Sequence, residues 1–246
     1  MGNAVIVKYD ENKLLLFDPG PIQSSDKLIN FLNKQNPQDL IVFITNPATR
    51  KSGGLNNIIK NFNISKLYRC ELNWNNEPFK SAIRSAKNKD INTIKAYAGQ
   101  IINISDDLSI EILSPPKGLI KDIKFYRENN SLVARIVYKN KKILLASDSR
   151  FEAEGYIIEN TTDLKSDILY TARNGRSGST SLELISMVRP QFIVIPSGKI
   201  SYRAGDDVIE RTSPKNTGAV VYRLDLNKMI IFVTDGKKII AGLQES

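Results

Sequence analysis

The chain has 246 residues, 41% hydrophobic and 25% charged, enough apolar material for the full core of a soluble protein. It holds one cysteine, Cys70, and no histidine. That excludes an internal disulfide, a thiolate metal cage, a Ser-His-Asp triad, a Cys-His pair and an ordinary zinc site.

Lysine and arginine outnumber aspartate and glutamate by 35 to 26, a net charge of +9. Such an excess favours nucleic acid, anionic lipid or acidic partners, and equally serves solubility. No apolar run approaches the ~18 to 20 residues of a membrane span, so no membrane segment is expected. The start "MGNAVIVKYD" lacks the basic-then-apolar pattern of a signal peptide.

Along the chain, "NAVIVKY" and "KLLLF" are predicted strands joined by a turn at "DEN". "SSDKLINFLNKQ" offers Ser and Asp as a cap, then apolar residues at helical spacing. "DLIVFIT" is a continuously apolar strand, the mark of burial on both faces. It runs into "NPATRKSGG", and "GGLNNIIKNF" follows as a helix with Leu55, Ile58, Ile59 and Phe62 on one face. "SKLYRCE" is a strand and "NEPFKSAIRSAKN" a helix with proline near its start.

From residue 91 the pattern changes to "NTIKAY", "QIINIS", "LSIEILSP", "SLVARIVY" and "KKILLASD", a predicted antiparallel meander. Helix and strand then alternate through "RFEAEGYIIEN", "SDILYTA", "STSLELISMV", "QFIVIP" and "DDVIERT". "GAVVYRLDL" and "KMIIFVTDG" are expected to close as a hairpin. The expectation is one domain over residues 1 to 246, two β-sheets face to face with helices outside, a four-layer α/β sandwich.

The order of these elements resembles the metallo-β-lactamase fold, and most specifically the ComEC-type domain of DNA-uptake proteins. "NAVIV" to "KLLLFDPGP" is similar to that family's opening hairpin, which ends in an Asp-Thr-Gly-like turn. "FITNPATRKSGG" stands where the family has its Thr-His-x-His-x-Asp-His-x-Gly-Gly loop. "ENNSLVARIVYKNKKILLASD" resembles its Asn-x-Ser-Leu strand, turn and Leu-Leu-x-Gly-Asp strand. "SDILYTARNGRSGSTS" resembles the segment carrying His-His-Gly-Ser, and "RPQFIVIPSGK" and "VVYRLDLNKMIIFVTDGK" the closing strands.

The resemblance implies one or two divalent metals that activate water, but the ligands are replaced. The first His position holds Asn46 and the second Ala48, the Asp position Arg50, and the third His position Lys51. The later two-histidine position holds Arg173 and Asn174, and a Tyr-Gly-His-Pro-like stretch becomes "YRAG". Asp148 remains from the ligand set, and Asp18 from the residues that support the loop. Arg50 and Lys51 invert the charge of the site, since unit charges at ~4 Å repel by about 4 kcal/mol at an effective dielectric near 20.

The expectation is therefore a catalytically inactive member of the fold with no metal, no zinc and no other cofactor. In this reading Arg50, Lys51, Arg173 and Arg176 line one cleft. They either neutralise Asp148 or bind nucleic acid or another phosphate-bearing anion. One alternative is a hydrolase or phosphodiesterase with an atypical carboxylate-based metal site built from Asp18, Asp148, Asp206 and Asp207. Asp206 and Asp207 read more simply as a helix cap. Another alternative is a subunit whose former active face contacts a protein partner.

Ser179 and Thr180 read as a helix cap completed by Glu183, and a Ser-Lys pair using Lys51 stays open. "RNGRSGSTS" lacks the spacing of a phosphate-binding loop, and Gly53 and Gly54 suit a tight strand-to-helix turn. Tyr68, Trp74 and Phe79 read as packing. The family's first strand is missing, which suggests a fragment of a longer chain. A stand-alone chain would be cytoplasmic, and part of a ComEC-type membrane protein would be extracytoplasmic.

Overall fold

In the computed structural model, which describes residues 3–197, 204–227 and 229–243, the chain divides into two compact units, Met1–Ala96 and Tyr97–Ser246. The first unit opens with β1 (Val5–Asp10) and β2 (Lys13–Phe17), an antiparallel hairpin with Val5 opposite Phe17. Then come α1 (Ser25–Gln35), β3 (Asp39–Ile44), α2 (Thr49–Ser52), α3 (Leu55–Asn61), β4 (Ile64–Cys70), α4 (Glu77–Asn88) and β5 (Asn92–Ala96). The sheet runs in the order β1-β2-β3-β4-β5, and β2 to β5 are parallel.

Parallel neighbours need a crossover, and the helical stripes supply it. Leu32, Leu55, Ile58, Ile59, Phe79 and Ala82 lie over Leu14, Leu16, Leu40, Val42, Ile44 and Leu67 in one apolar cluster. Full burial of each large aliphatic side chain contributes roughly 1.5–3 kcal/mol. On alternate positions Phe17, Phe43 and Tyr68 stack in a row, with centroids 4.6 and 4.8 Å apart. The buried run of β3 is as its continuous apolar sequence predicts.

The second unit holds β6 (Ile101–Asn103), β7 (Leu108–Ser114), α5 (Tyr126–Asn129), β8 (Val133–Tyr138), β9 (Lys141–Leu145), α6 (Phe151–Asn160) and β10 (Ile168–Tyr170). It continues with α7 (Leu182–Val188), β11 (Phe192–Ile195), α8 (Asp206–Arg211), α9 (Pro214–Thr217), β12 (Val220–Arg223), α10 (Leu224–Asn227), β13 (Ile230–Thr234) and β14 (Ile239–Leu243). Seven strands form one sheet in the order β12-β11-β10-β9-β8-β7-β6. β6 to β9 are an antiparallel meander, whereas β9 to β12 are parallel. Ile157, Leu184, Ile185 and Val188 cover Val133, Leu144, Leu169 and Ile193.

Two expectations are corrected. β5 does not open the meander; it pairs in parallel with β4, because α4 returns the chain to the first sheet. β12 does not pair with the strand after it. It joins β11 in parallel, and β13 pairs with β14 as a separate hairpin. The five-stranded and seven-stranded sheets are each mixed, and the α/β class expected from the element order is the observed one.

Candidate functional site

In open α/β sheets, ligands gather beyond the carboxyl ends of parallel strands. In the first unit those ends lead into Asp18, after β2, and Thr45 to Ser52, after β3. In the second unit they lead into Ala146 to Arg150, after β9, and Thr171 to Gly178, after β10. Asn46, Ala48, Arg50, Lys51, Arg173, Asn174 and Asp148, the positions that the resemblance singles out, all lie in these segments.

In the first unit Asp18 has a left-handed backbone, φ 56°, and a buried carboxylate. Its Oδ1 accepts from Thr45 N at 2.8 Å and its Oδ2 from Thr45 Oγ1 at 2.6 Å. Lys51 Nζ stands 3.0 Å from the same Oδ2. Burial raises the Asp18 carboxyl above its usual value, against the opposing effects of Lys51 and Thr45. Lys51, expected among the anion-binding cations, is buried and has its charge compensated by Asp18 within this unit.

Asn46 folds its own loop, with Oδ1 accepting from Ala48 N at 2.9 Å. Asn76 Nδ2 and Ser52 Oγ both donate to Pro47 O, at 2.5 and 2.9 Å, and Ala48 is buried. Arg50 is half-buried on the short helix α2. Gly54 is required by close approach, since a Cβ there would meet Ser25 Oγ at 2.9 Å and Pro19 O at 3.1 Å. Tyr68 and Phe79 are buried in packing. Burial pushes the Cys70 thiol up to about 12, which keeps thiolate chemistry out of reach near neutral pH.

In the second unit Asp148 is fully buried and follows Ser147, a left-handed residue with φ 54°. Arg173 and Asn174 are also left-handed, at φ/ψ 52/31° and 57/32°. Outside glycine this conformation costs roughly 1–2 kcal/mol per residue and gathers at functional sites. The turn is held by Arg173 N donating to Ser147 O at 2.8 Å and Gly205 N donating to Gly175 O at 2.8 Å. Arg173 Nη1 donates to Ser177 O.

Arg150, to which no sequence motif pointed, reaches the same place. A Cβ on Gly178 would stand 2.6 Å from Arg150 Nη2 and 3.6 Å from Arg173 Nη1, so two guanidinium groups converge on a backbone position that only glycine leaves open. Burial, then the like charge of Arg150, holds the Arg173 guanidinium below its usual value. Glu128 and Asp148 oppose that shift, and Arg176 adds to it. The signal for Arg150 was its place two residues beyond Asp148 in "LLASDSR".

The wall of this turn is set by Glu154, a buried carboxylate on α6. Its oxygens accept from Thr180 N at 2.5 Å and Ser181 N at 2.8 Å. The expected cap is thereby corrected: Ser181, not Ser179 or Thr180, caps α7 by accepting from Leu184 N at 3.1 Å. Thr180 instead takes a left-handed φ of 56°, its N–H held by Glu154. Arg211 Nη2 and Nε donate to Ser179 O and Thr180 O at 3.0 and 3.1 Å.

Asp206 and Asp207 lie in the first turn of α8, whose capping position is Gly205. Asp207 is engaged by Ser177 Oγ and, at 3.0 Å, by Arg211. Tyr202 and Arg203 of the "YRAG" stretch lie outside the described residues.

The metal pair implied by the fold family does not fit these residues. Among the described residues no group of three or more His, Cys, Asp or Glu could hold a metal ion. The Asp18 carboxylate already holds an ammonium group, and Asp207 a guanidinium. Among the described residues of the second unit, Asp148, Asp206 and Asp207 do not form one oxygen-donor set.

No family model matches the chain, and no curated protein matches it. Solved structures do. A metallo hydrolase of the archaeon Ignicoccus hospitalis aligns with a TM-score of 0.55 at 13% identity, covering 98% of this chain and 95% of its own. Zinc-bound PqqB from Methylobacterium extorquens gives 0.54 at 13% identity over 90% and 85%. A protein of Parabacteroides distasonis named as a metal-dependent hydrolase gives 0.51 at 13% identity over 90% and 89%.

These neighbours overturn the expectation of a chain that is not an enzyme, because proteins of this fold are named hydrolases. The physical error lay in equating lost histidines with lost chemistry. Carboxylates, lysine and guanidinium groups also carry acid-base and electrostatic work. The chain has the α/β fold of these metallo-hydrolases, the metallo-β-lactamase type.

Proposed function

We propose that the protein binds a phosphate-bearing anion, a nucleic-acid phosphate in the first instance, at the Arg150–Arg173 turn of the second unit. The carrying observation is the convergence of Arg150 Nη2 and Arg173 Nη1 beside Gly178. Two like charges held together and partly desolvated favour an anion between them, and guanidinium groups suit phosphate oxygens by their planar pairs of N–H donors. Arg176 follows on the same turn. The +9 charge supplies longer-range attraction, and the segment resemblance to ComEC-type domains supports DNA as the polymer.

A second reading, hydrolysis of a phosphate ester bound at this turn, is favoured by the names of the structural neighbours. The donor set does not fit the family's metal pair, so the work falls to this chain's own groups. Arg150 and Arg173 would hold and orient phosphate oxygens and stabilise negative charge developing on them.

A fluorescently labelled oligonucleotide titrated at several salt concentrations, with product analysis of the same samples, tests both readings. Salt-sensitive binding lost on Arg173→Gln is expected. Cleavage products lost with the same substitution would establish the hydrolase reading, and no binding at low salt would reject both.

A further inference from the structure

Among the described residues the exposed aromatic side chains are Phe125, Tyr126 and Phe151, at 50%, 41% and 46% exposure. Tyr126 follows Phe125 in the chain, and the other two neighbour Arg150. Phe151 follows it directly, and the Arg150 guanidinium carbon lies 3.5 Å from the centroid of the Phe125 ring. Phe125 itself is left-handed, φ 51°, a costly conformation for a bulky side chain.

The two segments are tied together through buried Asn129. Its Oδ1 accepts from Arg150 N and Ala153 N at 3.1 and 3.2 Å. Its Nδ2 donates to Lys124 O at 2.9 Å and Glu152 Oε2 at 3.0 Å. Arg150 thus touches an open aromatic surface on one side and the Arg173 turn on the other.

We infer that the Phe125 ring and the Arg150 guanidinium, with exposed Tyr126 next to Phe125 in the chain, form a stacking platform, so that the ligand is a phosphate ester carrying a planar ring, that is, a nucleotide unit. The inference rests on the anion-binding reading and narrows it. An exposed ring held against a guanidinium plane offers an apolar face at the protein surface, and single-stranded nucleic acids meet aromatic rings and Arg planes through the faces of their bases. A ring beside two guanidinium groups can seat a base while its phosphate faces Arg150 and Arg173. Glu128 and Asp148 supply counter-charge, which disfavours dense unpaired phosphate and leaves stacking a larger share of the affinity.

The test compares a short labelled oligodeoxythymidylate with an abasic phosphodiester strand of equal length, by fluorescence anisotropy on the full chain. The base-bearing strand should bind tighter. Phe125→Ala and Tyr126→Ala should each weaken it by about 5- to 100-fold, leaving the abasic strand and the salt slope unchanged. Arg150→Gln should weaken both strands. Competition by a mononucleotide distinguishes free nucleotide from strand as the source of the unit, and either source supports the platform.

Equal affinity for the two wild-type titrations overturns the platform and leaves phosphate binding intact. Failure of both strands to bind at low salt removes the anion reading as well. The wild-type comparison needs no variant, and Tyr126→Ala gives a second answer if Phe125→Ala misfolds.

Discussion

Lys51 Nζ lies 3.0 Å from Asp18 Oδ2, with side-chain exposures of only 9% and 5%. The sequence resemblance sets Lys51 against an expected metal-binding histidine and Asp18 among the residues expected to support the loop. In this chain the ammonium group ties β3's following loop to the turn after β2, as a cross-link within the first unit.

Breaking this pair from one side should be costly. Lys51→Met leaves the Asp18 carboxylate buried with Thr45 alone, and should destabilise the fold by about 3–5 kcal/mol in urea unfolding. Asp18→Asn combined with Lys51→Met should cost clearly less than the sum of the single changes. Additive losses would show that the two groups do not interact.

Glu154→Gln should destabilise by about 1–3 kcal/mol, because an amide NH2 must face one of the two N–H groups that the carboxylate now accepts. Burial raises the Glu154 carboxyl above its usual value. The unfolded chain therefore releases this proton first, near the ordinary glutamate value of about 4.3, and the folded chain later. Across that window the folded state binds more protons, so this group's contribution to stability falls as pH rises. The variant should lose that segment of the pH–stability curve, and an unchanged curve would refute the assignment.

The opposite sign is expected at Asp225. The Arg223 guanidinium, donating at 2.7 and 3.1 Å, holds its carboxyl below the usual range. Stability from this pair is present above the ordinary aspartate value of about 3.9 and is lost as pH falls through the lower folded value. Asp225→Asn should flatten the acid limb of the unfolding curve, measured by circular dichroism.

Salt should weaken nucleic-acid binding with a log–log slope of about −0.7 to −0.9 per phosphate neutralised. Arg150→Gln and Arg173→Gln should each lower affinity and flatten that slope. Lys87→Gln, on an exposed position of α4, should leave both unchanged. An equal loss from Lys87→Gln would point to diffuse charge attraction.

Elemental analysis of the purified chain should find less than one zinc, manganese or iron per molecule. The ground is the donor set, since the described residues bring no three metal-ligating side chains together. One metal per chain, released by Asp148→Asn, would falsify this.

Local patterns determined much of this protein. The apolar run of β3, the stripe of α3 and the Asp-Glu-Asn turn between β1 and β2 depend on neighbours within a few residues, and each stands where its sequence puts it. The segment resemblance likewise indicated the fold type and marked the loops beyond the strand ends.

Strand partners were decided by tertiary structure. Period-two patterning reports which faces are buried, not which edge a strand joins, so β5 and β12 were assigned wrong neighbours. The α7 cap was decided in the same way. Ser179, Thr180 and Ser181 are alike as capping residues, and the choice among them was made by Glu154 on another helix. Arg150 reads only as the first residue of the helix "RFEAEGYIIEN", and the structure sets it and the Arg173 turn against Gly178. Sequence spacing carries short-range hydrogen bonding and burial, whereas convergence of charges across loops exists only once the sheet has set where the loops end.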